Sequence, residues 1–243
     1  MVRVTCDGPL CRVVLADPAS SNALGEAMVH ALIQAFGEID RRPDVRVVLL
    51  AADGDVFSAG APRELLVRLA HGEVRPTDIL LPRLLLCCPV PVIAAMAGHA
   101  TGGGLALGLA ADIVLMADES RYGFPFMDMG FTPGMGATAL CEHVLPPAVA
   151  HELMYSGELR RGSAFARTGV NHIVPRAEVL PRAVDLAERI GTKPRAAVEA
   201  LKRTLSLPRR QAFELSLTTE SLMHQITFRA PGAAQGIRDG YVE

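Results

Sequence analysis

The fold follows from one stretch, Pro89-Val-Pro-Val-Ile-Ala-Ala-Met-Ala-Gly-His-Ala-Thr-Gly-Gly-Gly-Leu-Ala-Leu-Gly-Leu-Ala-Ala-Asp112. Val90 to Met96 is a short apolar run, which predicts a strand buried on both faces. Gly98 to Gly104 is a glycine-rich turn, and Leu105 to Ala111 is apolar on all sides, which predicts a buried helix. Such a turn leaves backbone N–H groups unpaired at the positive end of the helix dipole. The stretch therefore predicts a site for a phosphate or for the negative oxygen that develops on a reacting carbonyl.

The amino-acid composition and net charge indicate which classes of protein this chain fits. Half of the 243 residues are hydrophobic and 21% are charged, which predicts one large globular domain or a domain with a small appendage. The formal net charge of −2 gives no basic excess, so we expect no nucleic-acid partner. The apolar runs are too short to span a bilayer, so we expect no membrane insertion, and the N-terminus lacks the pattern of a signal peptide.

The cysteines bear on the compartment. There are five, an odd number, and no pair has the CxxC spacing. This usage predicts neither a disulfide framework nor a zinc site, and we expect a cytoplasmic protein. The cysteines are Cys6, Cys11, Cys87, Cys88 and Cys141.

Strand and helix patterns alternate through the first two thirds of the chain, and helical patterns fill the rest. The alternation predicts an α/β core, which we place at residues 1–190, and a helical C-terminal region at 191–243. Glycine and proline predict the helix ends in the last third. Helices are predicted there over 176–190, 194–206 and 208–229, with a short tail from Ala230.

Local signals predict three further features. Val2 to Cys6 and Arg12 to Leu15 flank Asp7-Gly8, which predicts a β-hairpin. Thr77 or Asp78 is predicted to cap a helix over 79–88. Residues 122–136, rich in glycine and proline, are predicted to be irregular.

A second turn resembles the first in kind. Ser58-Ala59-Gly60-Ala61 also follows a predicted buried strand and leads into a helix, with Pro62 favourable at its start. Two N–H donors that converge on one point form an oxyanion hole, and losing one donor typically costs roughly 3–4 kcal/mol of transition-state stabilisation. The glycine spacing between 98 and 104 does not fit the GxGxxG pattern of dinucleotide sites. The pair of turns therefore favours an oxyanion over a phosphate.

The two turns, with Ala110-Ala-Asp112 after the second, resemble the crotonase (enoyl-CoA hydratase/isomerase) superfamily over nearly the whole chain. The resemblance implies a spiral of ββα units with a helical C-terminal region that forms trimers. It also implies an oxyanion hole for a thioester carbonyl, with the N–H groups of Ala61 and Gly103 as donors.

Both catalytic acids of the hydratases are missing. By motif position, the resemblance places their two glutamates at Ala106 and Phe126. Hydration needs a base to activate water and an acid to protonate the α-carbon, and neither alanine nor phenylalanine can do this. The scaffold therefore predicts a thioester enolate, and the missing acids argue against hydration.

Several segments resemble a more specific subfamily, the second enoyl-CoA-hydratase-like enzyme of polyketide β-branching cassettes. The most specific of them is Phe131-Thr-Pro-Gly-Met-Gly-Ala-Thr138, and His224-Gln-Ile-Thr-Phe228 is another. The resemblance implies decarboxylation of a 3-methylglutaconyl-type thioester on an acyl carrier protein. It implies no metal or cofactor of the enzyme's own, because phosphopantetheine or CoA arrives as the carrier of the substrate, and it implies a homotrimer or hexamer.

The candidate site residues follow from this resemblance. His224 matches a histidine of the subfamily and is a candidate proton donor or carboxylate partner, against the alternative of a structural histidine. Leu69 and Leu65 stand where decarboxylating relatives can carry a lysine and a tyrosine. Further candidates for substrate contact are Arg63, His71, His99, Tyr122 and Phe126.

Other interpretations stay open. A solvated surface would explain Arg63, a hydrogen bond that stabilises the turn would explain His99, and core packing would explain Phe126. The chain as a whole would also fit a CoA-thioester hydratase or isomerase that uses Asp128 or Glu64 as replacement acids. A non-catalytic subunit that binds carrier proteins is a third interpretation.

Overall fold

The protein is described by a computed structural model that covers residues 1–74 and 80–241. Within these ranges the strands form two sheets. The larger has the order β1-β2-β3-β5-β7-β10 and is parallel apart from the β1–β2 pair, and the smaller has the order β4-β6-β8-β9. The strands are β1 (Val2–Asp7), β2 (Leu10–Leu15), β3 (Val47–Ala52), β4 (Val56–Ser58), β5 (Val92–Met96), β6 (His99–Thr101), β7 (Ile113–Ala117), β8 (Arg121–Gly123), β9 (Leu159–Arg161) and β10 (His172–Val174).

Helices surround the two sheets. The predicted termini agree with the structure to within one or two residues for most of them. Thr77 and Asp78, predicted as an N-cap, lie outside the described residues. The α-helices are α1 (Glu26–Ile39), α2 (Arg63–Ala70), α3 (Leu81–Cys87), α4 (Gly103–Leu109), α5 (Ala137–Val144), α6 (Pro147–Ser156), α7 (Arg176–Gly191), α8 (Arg195–Thr227) and α9 (Ala233–Gly240).

The chain repeats a β-β-α unit, as the resemblance predicts. In each unit the first strand (β3, β5, β7) joins the larger sheet, the second (β4, β6, β8) joins the smaller, and a helix follows. The second strands are only three residues long and lie within the predicted turns and irregular segment, so the sequence patterns missed them. Because parallel neighbours point the same way, the turns after β4 and β6 leave the small sheet side by side.

The predicted N-terminal hairpin is confirmed, with Cys6 paired directly opposite Cys11. The structure joins these two cysteines in a disulfide, and Cys87, Cys88 and Cys141 are free. The prediction that the cysteines form no disulfide framework is therefore corrected to one short-range bridge. Spacing rules missed it because the antiparallel register, not a CxxC motif, brings the two side chains together.

The central strands of the larger sheet, β3, β5 and β7, are buried on both faces. One face packs on Val179, Ala183 and Ala187 of α7, and the other joins the main core between the sheets and the remaining helices. Val92 to Met96 of β5 are all buried, as the continuous apolar run predicts. Each large aliphatic side chain buried in this way contributes about 1.5–3 kcal/mol to folding.

The C-terminal region differs from the prediction in two places. Residues 195–227 form one continuous helix, α8, with Pro208 inside it. A proline within a helix costs about 3 kcal/mol, but the buried side chains on one face of α8 hold the helix together across it. These side chains are Val198, Lys202, Ser206, Phe213, Ser216 and Glu220. The predicted short tail from Ala230 contains a further helix, α9, whose Ile237 is fully buried. The predicted division between residues 190 and 191 falls at the end of α7 and stays a prediction.

A buried ion cluster attaches α8 to the core. Asp112 accepts hydrogen bonds from Lys202 at 2.6 Å, from Arg209 at 2.8 Å and from the N–H of Val92 at 2.8 Å. Lys202 also donates to the carbonyl of Leu85 at 2.9 Å. Burial lowers the pKa of Lys202, and the adjacent Asp112 carboxylate opposes that effect. Removing one partner from such a cluster leaves an uncompensated buried charge, so these contacts fix where α8 lies.

Among the described residues, no helix is both long enough and apolar enough to cross a membrane.

Candidate active site

The two predicted turns meet backbone to backbone. Gly60 has a φ of +75° and packs against the start of α4. A Cβ at residue 60 would lie 2.9 Å from both the amide nitrogen of Gly103 and the carbonyl oxygen of Thr101. Similarly, a Cβ on Gly104 would collide with the carbonyl oxygen of Ser58. Glycine is therefore required at both positions for the turns to come into contact.

Hydrogen bonds hold the first turn in place. The buried hydroxyl of Ser58 donates to the carbonyl of Asn22 at 2.9 Å and accepts from the N–H of Gly60 at 3.2 Å. The carbonyl of Gly60 accepts from the N–H of Leu24 at 2.7 Å. Across the junction, the hydroxyl of Thr101 donates to the carbonyl of Ala59 at 3.2 Å. The turn is thus fixed before any ligand binds, as preorganised stabilisation of an oxyanion requires.

Two backbone N–H groups at the junction of the turns differ from the groups described above. Among the described residues, neither the N–H of Ala61 nor that of Gly103 donates a hydrogen bond. Ala61 and Gly103 both line one cavity, and Gly103 is the first residue of α4, where the helix dipole adds partial positive charge. The structure therefore places both predicted donors at one cavity, and no described residue accepts a hydrogen bond from either.

The opposite wall of the cavity is made of side chains from distant parts of the chain. The loop before α5 contributes Phe131 and Met135, the end of α8 contributes His224, and the C-terminal segment contributes Phe228 and Tyr241. Phe131 stacks on Phe228 with their ring centroids 4.7 Å apart. His224 meets the Phe228 ring edge to face at 5.1 Å. These rings form an apolar wall that excludes water from the space in front of the donors.

His224 has a defined hydrogen-bonding state. Its Nε2 lies 3.0 Å from the carbonyl oxygen of Thr132, and because a carbonyl only accepts, Nε2 must carry a proton. Its Nδ1 is buried and has no hydrogen-bond partner among the described residues. Burial lowers the pKa of His224, although the carbonyls of Thr132 and Pro133 raise it in part. In the free protein the neutral imidazole therefore carries its proton on Nε2, and Nδ1 is an acceptor without a partner among the described residues.

The two positions of the missing acids are apolar in three dimensions. Ala106 is fully buried inside α4 and does not line the cavity. Phe126 lines the cavity and packs against Gly102, where a Cβ would lie 3.3 Å from its ring. Among the described residues that line the cavity there is no carboxylate, and the titratable ones are His224 and Tyr241.

The predicted residues of α2 lie around the cavity in different ways. Leu69 lines both the cavity and an adjoining open groove, and His71 lines only the groove, which also reaches His224. His71 lies 3.4 Å from the carboxylate of Glu73. Leu65 is buried but outside the cavity lining. Arg63 lies in a crevice on the other side of the first turn, with its guanidinium 6.0 Å from the ring centroid of Tyr241.

Two other predicted residues lie outside the cavity lining and have structural hydrogen bonds. His99 accepts a hydrogen bond at Nδ1 from the N–H of Arg121 at 2.8 Å, and burial and the nearby Arg176 lower its pKa. This bond agrees with the alternative that His99 stabilises the turn. The hydroxyl of Tyr122 donates to the carbonyl of Met96 at 2.7 Å, and burial raises the pKa of Tyr122. Tyr122 ties the two sheets together rather than contacting the cavity.

Sequence reasoning missed several residues of the site. The hydroxyl of Tyr241 donates to the carbonyl of Ala61 at 3.1 Å, which links the C-terminal segment to the first turn. Met135 places its sulfur against Gly103, where a Cβ would lie 2.5 Å from it. No local pattern marks Tyr241, which lies in the segment predicted only as a short tail. Within residues 1–74 and 80–241, no group of three or more His, Cys, Asp or Glu side chains could hold a metal ion.

Comparison with known proteins yields one family and several relatives. The family model for enoyl-CoA hydratase/isomerase proteins matches residues 6–243. Bacillaene synthase decarboxylase PksI from Bacillus subtilis (strain 168) is 38% identical over 226 residues, which are 93% of this chain and 91% of PksI.

Two solved structures have a similar fold. The ECH2 decarboxylase domain of CurF from Lyngbya majuscula superposes with a TM-score of 0.92 at 35% identity, covering 98% of each chain. A chain from a dehydratase/decarboxylase enzyme couple involved in polyketide beta-branching superposes with a TM-score of 0.95 at 36% identity, covering 100% of this chain and 99% of the other. The similarity covers nearly the whole chain and so includes α8, which contributes His224 to the cavity.

Proposed function

The chain belongs to the enoyl-CoA hydratase/isomerase family, and from that premise we propose that it is a decarboxylase of polyketide β-branching. Its proposed substrate is a 3-methylglutaconyl-type thioester carried on an acyl carrier protein. Three relatives are described as decarboxylases or as part of a decarboxylase couple, and this supports the proposal.

The observation that carries the proposal is the contrast inside the cavity. Two backbone donors, Ala61 and Gly103, have no internal partner, and no carboxylate lines the cavity among the described residues. Decarboxylation needs an electron sink but no base to form the carbanion, since the departing CO2 leaves its electron pair behind. A cavity without carboxylates also does not repel a substrate that carries one.

In the proposed reaction the substrate loses CO2, gains one proton and keeps its thioester. The bond between the substrate carboxylate carbon and the γ-carbon breaks, and CO2 leaves. The electron pair moves through the conjugated chain to the thioester oxygen, which becomes a dienolate held by the N–H groups of Ala61 and Gly103. One proton then adds to the α- or the γ-carbon and regenerates the thioester carbonyl. The apolar wall strengthens both hydrogen bonds by excluding water.

His224 is the proposed partner of the substrate carboxylate and source of the proton. In the free protein, burial keeps its pKa low and the ring neutral. A carboxylate beside Nδ1 favours the imidazolium, so the pKa rises when substrate binds. Loss of CO2 removes that negative charge, the pKa falls again, and the proton becomes available to the dienolate. The changes in the pKa of His224 on binding and on decarboxylation thus favour proton transfer from His224 to the dienolate.

The proposal also concerns the carrier of the substrate, the cofactor requirement and the oligomeric state of the protein. The thioester is the electron sink, so no metal or redox cofactor enters the proposed step, and the pantetheine arm belongs to the substrate. Large apolar side chains exposed on α8 support assembly into a homotrimer or hexamer. They are Leu201, Leu205, Leu207, Leu215, Leu222 and Ile226. The cytoplasmic location stays a prediction.

The direct test is mass spectrometry of a 3-methylglutaconyl carrier protein incubated with the enzyme. The expected result is a mass loss equal to one CO2, and the CoA thioester of the same acid should react more slowly. An unchanged carrier-protein mass at high enzyme concentration would contradict the proposal, and binding without turnover would favour a non-catalytic subunit.

The hydratase alternative receives less support. Its replacement acids, Glu64 and Asp128, are both exposed and lie outside the cavity lining. It predicts hydration of crotonyl-CoA that is lost in Glu64→Gln or Asp128→Asn, and we expect no such hydration.

A further inference from the structure

Glu220 of α8 is a fully buried carboxylate that the proposed reaction does not use. It accepts three hydrogen bonds: from the N–H of Gly136 at 2.7 Å, from the N–H of Thr138 at 3.1 Å and from the hydroxyl of Thr138 at 2.6 Å. All three partners are donors. Within residues 1–74 and 80–241, no cation pairs with it. Burial raises the pKa of Glu220 and these hydrogen bonds oppose that effect, so the contacts with this one segment offset the cost of burying the charge.

The contacts of Glu220 belong to a row along one face of α8. Glu220, His224 and Thr227 are spaced i, i+4 and i+7, so they lie on one side of the helix. All three contact residues 132–138, which comprise the loop before α5 and the first two residues of that helix and which we call the clamp loop. His224 donates to the carbonyl of Thr132, and the hydroxyls of Thr132 and Thr227 lie 3.4 Å apart. Glu220 holds the far end of the same loop.

The clamp loop touches both halves of the active site. A Cβ on Gly134 would lie 2.5 Å from Cε1 of His224, so the loop backbone packs directly on the imidazole. The next residue, Met135, packs its sulfur against Gly103, one of the two oxyanion donors. Met135 and Gly136 have φ values of +61° and +72°. A non-glycine residue in that region is strained, so it needs external support.

From this arrangement we infer that Glu220 is a positioning residue for the reaction. Its carboxylate fixes the clamp loop at Gly136 and Thr138, and the loop in turn holds Nε2 of His224 on the Thr132 carbonyl. That contact keeps Nδ1 free for the substrate and keeps Met135 against the oxyanion turn. The expected effect on kcat rests on the proposed function. The expected effect on the clamp loop and on the tautomer of His224 does not.

A purely structural role for Glu220 would have different consequences. Its contacts also satisfy N–H groups at the start of α5, and a helix cap contributes to stability alone. Loss of a cap would lower the melting temperature without changing the tautomer of His224. Loss of positioning changes the tautomer and kcat in protein that is still folded.

The experiment compares three variants at a temperature where all are folded. Glu220→Gln places an amide N–H₂ group among the donors, and Thr138→Val removes one donor but keeps the side-chain shape. The matched control is Glu214→Gln, which alters a glutamate of the same helix that pairs with Arg83 at the surface. The readouts are the ¹⁵N chemical shifts of the His224 ring, assigned by comparison with His224→Asn, and kcat and KM for decarboxylation.

The expected result is graded. Misplacing a catalytic group by about 1 Å can cost about 100-fold, so Glu220→Gln should lower kcat by about 10- to 100-fold with little change in KM. Its ring shifts should move away from a single Nε2-protonated tautomer. Thr138→Val should show the same changes at a few-fold level, and Glu214→Gln should show neither.

Unchanged ring shifts and an unchanged kcat in folded Glu220→Gln would overturn the inference. If that variant does not fold, Thr138→Val decides alone, and unchanged shifts and kcat there overturn it. Altered ring shifts in a protein whose wild type does not decarboxylate would support the positioning role and reject the proposed function, so the two failures are distinguishable.

Discussion

The two walls of the cavity are built by opposite means. The wall that carries Ala61 and Gly103 consists of backbone, and the groups that matter are N–H donors between small residues. The facing wall consists of side chains, with His224, Phe131 and Phe228 supplied by segments far along the chain. In the proposed reaction the backbone wall stabilises the thioester oxyanion, and the side-chain wall selects the acyl group and supplies the proton.

The comparison of the two walls bears on how this chain differs from the hydratases. Gly60 and Gly104, which allow the two turns to come into contact, are present, so the backbone geometry that an oxyanion hole requires is kept. By motif position the two glutamates of the hydratases are predicted at Phe126, which lines the cavity, and at Ala106, which is buried in α4. A change of reaction on this scaffold therefore needs no change of the oxyanion site.

The largest effect is expected from breaking the backbone wall with Gly60→Ala. The new Cβ would press on the amide of Gly103 and the carbonyl of Thr101, and residue 60 would keep a left-handed φ. Displacing the donors should lower kcat by about 10²- to 10³-fold, measured by steady-state decarboxylation. Gly8→Ala is the matched control, because Gly8 is also left-handed but has open space around it. Equal activity of the two variants would contradict the oxyanion assignment.

The side-chain wall is broken by His224→Asn. Asparagine can still donate to the Thr132 carbonyl but cannot transfer a proton, so kcat should fall by about 10²-fold. Single-turnover measurements of carrier-protein mass follow the loss. His143→Asn serves as the control, because His143 is exposed and bonds only the carbonyl of Ala139 in its own helix. If wild-type rates persist in His224→Asn, another group supplies the proton.

Leu69→Lys sharpens the contrast between the walls. Leu69 lines both the cavity and the groove, so a lysine there would bring a cation close to the substrate carboxylate. In the His224→Asn background we expect kcat to recover by about tenfold, since one charged hydrogen bond contributes about 1.5–3 kcal/mol. Leu69→Met keeps the volume without the charge and should give no recovery, as single-turnover assays of both double variants would show. Recovery in both would mean that packing, and not charge, is the cause.

The pH dependence tests the direction of the His224 shift. Burial lowers its pKa in the free protein, and a substrate carboxylate raises it in the complex. If protonated His224 is the active form, kcat/KM falls with rising pH at a value below the ordinary pKa of about 6.5, and kcat falls at a higher pH. Assays after a pH jump measure kcat and kcat/KM as functions of pH and give the midpoint of each decline. The His224→Asn variant should show neither decline. Equal midpoints for kcat and kcat/KM in the wild type would contradict the proposed cycle.

The smallest effect is expected where the C-terminal segment supports the backbone wall. Tyr241→Phe removes the hydroxyl that donates to the carbonyl of Ala61. A hydrogen bond of this kind contributes about 1 kcal/mol, so kcat should fall by about fivefold with KM nearly unchanged. Tyr155→Phe, at an exposed tyrosine, is the control for the loss of a hydroxyl. A loss above 100-fold would instead assign Tyr241 a direct role in proton transfer.

Sequence reasoning succeeded where one short segment contains its own signal. The hairpin at Asp7-Gly8, the buried strand at Val92–Met96 and the two glycine turns depend on residues that are close along the chain. It failed where packing overrides a local signal. Pro208 predicts a break, but the buried face of α8 carries the helix through it. It also missed Cys6–Cys11, because that bridge depends on strand register.

The sequence by itself determined the oxyanion turns, because the close approach of two backbones requires glycine at Gly60 and Gly104 whatever surrounds them. Only the tertiary structure decided what faces the donors. His224 gains its protonation state from Thr132, and the clamp loop gains its place from Glu220. These partners are more than eighty residues apart in sequence, so no local pattern records them and only the packing of α8 brings them together.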